Sequence, residues 1–172
     1  MSTVTVQPPR AQRQEHALGP WPLACGHTIP DAQISYLQIG ALNADRSNLI
    51  LVPTSYGARP EDLAWLAGPV LDPERWCIVI AGMFGNGASS SPSHGAMGLA
   101  EQGWVVSHRD NVAAQRQLLA EVFGVERLPL VYGWSMGASR PTSGPSITQR
   151  LWSGSAASAA APAPPPTTAC SA

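Results

Sequence analysis

Apolar runs alternate along this chain with stretches whose apolar positions recur at helical spacing. Residues 48–53 (NLILVP) hold four consecutive apolar side chains, and residues 76–81 (WCIVIA) are apolar throughout. Both patterns suit strands buried on two faces. A third run, LPLVYGW, occupies residues 128–134. Two shorter strands are predicted over 21–25 and 33–39, joined through Gly26 and the Pro30-Asp31 turn signal. In the second, Ile34, Tyr36 and Gln38 alternate with Ser35, Leu37 and Ile39, as a strand with two unlike faces requires.

Helical spacing is strongest over 110–123. Asp110 is a candidate cap there, Val112, Leu119, Val122 and Phe123 share a face, and Gly124 marks the stop. A shorter helix is predicted after residue 58, with Pro60 near its start and Glu61 and Asp62 in its first turn. Residues 40–47 and 82–93 read as loops. Strands alternating with helices indicate an α/β fold, a mostly parallel sheet with flanking helices.

The third apolar run ends abruptly in Gly133-Trp134-Ser135-Met136-Gly137. A strand that turns directly into a helix crowds the backbone on either side of the turn, and glycine at 133 and 137 relieves that crowding. The serine at the apex then carries its hydroxyl clear of the sheet, and the Met136 amide, at a helix start, faces the place where an oxyanion would form. This is the pattern of a nucleophile elbow. An ordinary Gly-rich turn between strand and helix is the plainer alternative.

Composition narrows the choice of partners. Net charge is -1, with signs mixed and no basic run, which argues against nucleic acid or an anionic membrane. Cys25, Cys77 and Cys170 form neither a metal-ligand spacing nor a disulfide framework, so no metal is expected and a reduced, cytoplasmic setting fits. No apolar stretch approaches the roughly 20 residues that span a bilayer. Residues 1–17, polar and broken by proline, read as a flexible leader. His16, His27, His94 and His108 are expected at the surface or in loops, and Met83-Phe84-Gly85-Asn86-Gly87 as a structural loop bordering the active site. Trp134 suits either an acyl pocket or a buried packing role.

The segments DAQISYLQIGALNADRSNLILVPTSYGA, LDPERWCIVIAGMFGNGASSSPS and DNVAAQRQLLAEVFGVERLPLVYGWSMGA occur in that order. Together they resemble the homoserine O-acetyltransferase family of α/β-hydrolase fold proteins, over residues 18–138 and thus only the N-terminal part of that domain. The resemblance implies ping-pong acyl transfer from acyl-CoA, a cosubstrate rather than a bound cofactor, to an alcohol. It implies Ser135 as nucleophile and the Met136 amide as one oxyanion donor. A second donor is expected within residues 54–57, with Tyr56 the choice. That segment departs from the commoner His-Ala-Leu-Thr-Gly form, which leaves the acceptor alcohol open. Full-length relatives are commonly homodimers. An esterase on the same fold, or a noncatalytic module that binds a partner through a Pro/Ala tail, are the competing expectations.

After Ala138 the family pattern stops. Residues 139–172 are rich in Pro, Ala and Ser and contain no acidic residue and no histidine, a composition of disorder. If each triplet is read as the third base of one codon plus the first two of the next, residues 140–168 permit QAYEWAVHHPEAVERICGICGSARTAPHN. That string resembles the family's own continuation, so a change of reading frame near Ser139 is expected. On this reading the triad acid and histidine are missing, the chain is inactive alone, and its last strand is an exposed, aggregation-prone sheet edge.

Overall fold

The computed structural model describes residues 12–94 and 105–133. Its framework is one five-stranded sheet: β1 (Gln14–Pro22), β2 (Thr28–Ile39), β3 (Leu49–Pro53), β4 (Cys77–Ala81) and β5 (Leu130–Val131), in the spatial order β1-β2-β4-β3-β5. β3 runs parallel to β4 and β5, whereas β2 is antiparallel to both β1 and β4. The sheet is therefore mixed, where a mostly parallel one was expected. For the β1–β2 pair the reason is local: the two are joined by a tight turn, Leu23 N–H to His27 O at 2.7 Å, and a short turn can join only antiparallel strands.

The α/β class holds, with helical segments on both faces of the sheet. Two strand boundaries differ from the sequence reading. β1 starts at Gln14, inside the stretch expected as leader, and ends at Pro22. It is an edge strand with a largely exposed face, so it carries no apolar run. Polar contacts hold its start instead: the Tyr36 hydroxyl donates to Gln14 Oε1 at 2.7 Å, and His16 Nε2 lies 2.7 Å from Glu121 Oε2. β2 runs through Pro30-Asp31, because the reversal is made at Cys25-Gly26.

β3 and β4 are buried at every position, as their continuous apolar runs require. One sheet face packs against α1 (His108–Leu118) and the π-helical turn Leu119–Phe123 that continues it. The other packs against the 3-10 helix Pro60–Leu66 through Leu63 and Leu66. Two details of the long helix differ from expectation. Its cap is Ser107, one turn before Asp110. Ser107 Oγ accepts the Asp110 amide at 3.3 Å while Asp110 Oδ2 accepts the Ser107 amide at 2.7 Å, a reciprocal capping box. Val122 is exposed, because the wider π turn carries Leu119 and Phe123 onto the core and rotates Val122 outward. Gly124, with φ of 63°, ends the helix as expected.

Candidate active site

The parallel strands β3, β4 and β5 all point their carboxyl ends at one edge, where open α/β sheets bind ligands. The loops leaving β3 and β4 form the walls of a cleft of about 270 Å³, with Tyr56 and Gly57 on one side and Met83, Phe84 and Asn86 on the other. Between residues 82 and 91 the chain forms no regular element, yet it is closely tied down. Ser90 N–H donates to Gln33 O at 2.9 Å, Gln33 N–H to Ser90 Oγ at 2.8 Å, and Ser35 N–H to Ser89 Oγ at 3.1 Å. Gly82 is where this loop meets β2. A Cβ there would lie 2.6 Å from Ser35 Oγ and 2.7 Å from Ser89 Oγ, so only glycine permits the approach.

From the other side α1 presents three buried polar residues. Asp110 Oδ1 accepts from Ala24 N–H at 2.9 Å, Asn111 Oδ1 from Phe84 N–H at 2.8 Å, and Gln115 Nε2 donates to Gly82 O at 3.0 Å. The last two satisfy backbone groups of Phe84 and Gly82 that burial would otherwise strand. His108 is exposed at the helix start, and Asp110 is a cap partner, so the two make no catalytic pair.

Tyr56 lies where an oxyanion donor was expected, on the loop leaving β3, and is 82% exposed. Its amide makes no hydrogen bond among the described residues. The loop is fixed at one end by Thr54 N–H to Ala81 O at 2.9 Å and closed by a turn, Ala58 N–H to Ser55 O at 3.1 Å. Thr54 Oγ1 is buried without a partner among the described residues. Trp134, Ser135 and Met136 lie outside the described residues. Gly133, the last described before them, follows β5, whose Leu130 and Val131 pair with Ile50 and Leu51 of β3.

Outside the cleft, burial pushes the Cys77 thiol up to about 11, opposed by a weaker hydrogen bond from Gln38. Among the described residues no group of three or more His, Cys, Asp or Glu could hold a metal ion, and no helix is long and apolar enough to cross a membrane. The roles of Asn86, Asn111 and Gln115 escaped the sequence reading. Asn111 and Gln115, four residues apart on the helix face that also carries Ala114 and Leu118, were the available signal.

No protein-family model matches the chain. It is 43% identical over 127 residues to an ethyl acetate hydrolase of Pseudomonas veronii, covering 72% of this chain and 36% of that protein. It is 32% identical over 123 residues to the homoserine O-acetyltransferase of Chlorobium chlorochromatii, covering 65% of this chain and 34% of that protein. Among solved structures, the acetyl esterase MekB matches with a TM-score of 0.69 at 41% identity, over 73% of this chain and 38% of that one. The chain thus spans little more than a third of the length of the relatives it matches.

Proposed function

We propose, from the premise that this chain corresponds to the N-terminal part of an α/β-hydrolase fold protein of the homoserine O-acetyltransferase type, that it carries the nucleophile and oxyanion face of a serine acyl-transfer site. Ser135 Oγ attacks the acyl carbonyl as its proton passes to a base, the Met136 and Tyr56 amides receive the oxyanion, and the donor's alcohol or thiol leaves with that proton; water or an alcohol then takes the acyl group from the acyl-serine and returns a proton to Ser135. The observation that carries this is the uncommitted Tyr56 amide on a cleft at the carboxyl ends of β3 and β4. Gly133 is two residues from Ser135, a reach of at most about 7 Å. Each oxyanion donor contributes about 10²- to 10³-fold in rate.

Water is the acceptor we favour, because the ethyl acetate hydrolase and the acetyl esterase share more identity with this chain than the homoserine O-acetyltransferase does. Transfer from acyl-CoA to an alcohol by a homodimer is the second reading, supported by the acetyltransferase match. No histidine or acidic residue follows Ser135 in the sequence. The base and acid therefore come, on this proposal, from a continuation in the alternate frame. The test is p-nitrophenyl acetate turnover by the frame-restored chain, with and without homoserine. Saturable hydrolysis that falls at least about 10³-fold in Ser135→Ala supports the proposal. Hydrolysis indifferent to that substitution refutes it, and product appearing only with homoserine moves the assignment to transfer.

A further inference from the structure

Among the described residues, one side chain joins the two walls of the cleft. Asn86, half-buried in the loop leaving β4, accepts the amides of Ala88 and Ser89 on Oδ1, both at 2.9 Å, and its Nδ2 lies 3.2 Å from Ala58 O in the opposite loop. Two backbone donors can meet only the carboxamide oxygen, which fixes the NH₂ toward the carbonyl of Ala58. The base of this reach is rigid. Ser89 and Ser90 are pinned to β2, Gly85 N–H donates to Ser90 O at 2.9 Å, and Gly87 N–H to Ser91 Oγ at 2.8 Å.

Ala58 closes the turn that contains Tyr56 and Gly57, since its own N–H donates to Ser55 O. That turn therefore has two anchors: Ala81 O, which holds Thr54 N–H, and Asn86, which holds Ala58 O. Between them the Tyr56 amide stays uncommitted while its backbone is held. An oxyanion donor needs this combination, because a donor that must reorganise when charge develops loses much of its value.

We propose that Asn86 is a positioning residue that sets the Tyr56–Gly57 loop against the cleft by gripping Ala58 O. Its importance for catalysis rests on the acyl-serine reading above; the coupling of the two loops does not. Asn86→Asp separates the two jobs of the side chain. A carboxylate still accepts the Ala88 and Ser89 amides but offers Ala58 O no hydrogen, so only the grip is lost.

The experiment uses the chain as it stands, with hydrogen exchange at single amides and the ¹³C resonance of the Ala58 carbonyl. In Asn86→Asp at neutral pH, protection of the Ala58 amide falls about tenfold, the equivalent of one hydrogen bond. The Ala58 carbonyl resonance shifts, the Ala88 and Ser89 resonances keep their native positions, and the urea midpoint falls by no more than the loss of that one bond accounts for. Asn86→Ala loses protection at Ala58 and at Ala88 and Ser89 together. An Ala58 signal unmoved in Asn86→Asp overturns the proposal. So does a shift at Ala58 that merely accompanies an equal loss across β2 and β4, the mark of general loosening. Because none of these readouts uses the chemistry of Ser135, failure of the acyl-serine reading and failure of the coupling are separately visible.

Discussion

Replacing Gly82 with alanine adds one methyl group where β4 gives way to the cleft loop. That methyl would sit 2.6 Å from Ser35 Oγ, 2.7 Å from Ser89 Oγ and 3.1 Å from Ser35 O, among residues that are fully buried. Ordinary contact needs nearly an ångström more, so Ser35 and Ser89 must part. Overpacking of this kind costs about 1–3 kcal/mol. Parting the serines also weakens the 3.1 Å Ser35–Ser89 hydroxyl bond and the 3.1 Å bond from Ser35 N–H, worth about 1 kcal/mol each. Alanine recovers up to about 1 kcal/mol by restricting the unfolded chain. The net expectation is a loss of about 2–4 kcal/mol, read from urea midpoints at constant m-value. The mechanism is checked by Ser89→Ala in both backgrounds. Removing the hydroxyl makes room for the methyl, so the double variant should be more stable than the sum of the singles by at least about 1 kcal/mol. A Gly82→Ala chain within about 0.5 kcal/mol of the parent, or additive singles, would refute the reasoning.

Ser107→Ala should cost about 1 kcal/mol, the value of an N-cap, whereas Asp110→Ala should cost more, about 2 kcal/mol, because it removes the acceptor of both the Ser107 and the Ala24 amides; equal losses in urea unfolding would contradict the bond from Ala24 to Asp110. The Cys77 thiol holds its proton more tightly folded, near 11, than its ordinary value of 9.0. The unfolded chain thus releases a proton that the native state keeps: the stabilising contribution is complete below pH 9 and is lost as pH rises toward 11. Urea midpoints should fall across that window, less so in Cys77→Ala; a parallel fall in both would remove Cys77 as the cause, leaving Tyr36, whose hydroxyl burial also pushes up. At pH 8 a thiol reagent should modify Cys25, which is exposed, and spare Cys77 in the native state, as peptide mapping would report.

β3 and β4 were legible because burial on both faces leaves an uninterrupted apolar run, and the end of the long helix was legible because Gly124 sits where a left-handed residue is needed. β1 was not. Its Gln14, Glu15 and His16 are held by side-chain hydrogen bonds and strand pairing, which leave no hydrophobic signature. The Asp110 cap was misassigned by one turn because Ser107 and Asp110 cap each other, and sequence cannot say which stands outside the helix. For the site, the family resemblance pointed to Tyr56 as a candidate, and the structure puts it on the cleft. The grip of Asn86 on Ala58 joins positions 28 residues apart through a carboxamide hydrogen bond; nothing in composition or periodicity encodes such a contact.

The central claim is that Ser135 is an acyl-accepting nucleophile whose activation depends on sequence beyond residue 138. The most direct measurement is intact-mass spectrometry and peptide mapping after treatment with a serine-reactive phosphonate, on this chain and on the frame-restored one. The account predicts a single adduct at Ser135 in the restored chain, absent from its Ser135→Ala variant. In the present chain, which carries no histidine after Ser135, the same adduct should form at least about 10³-fold more slowly. An adduct on another serine, or equal rates in the two chains, would contradict it.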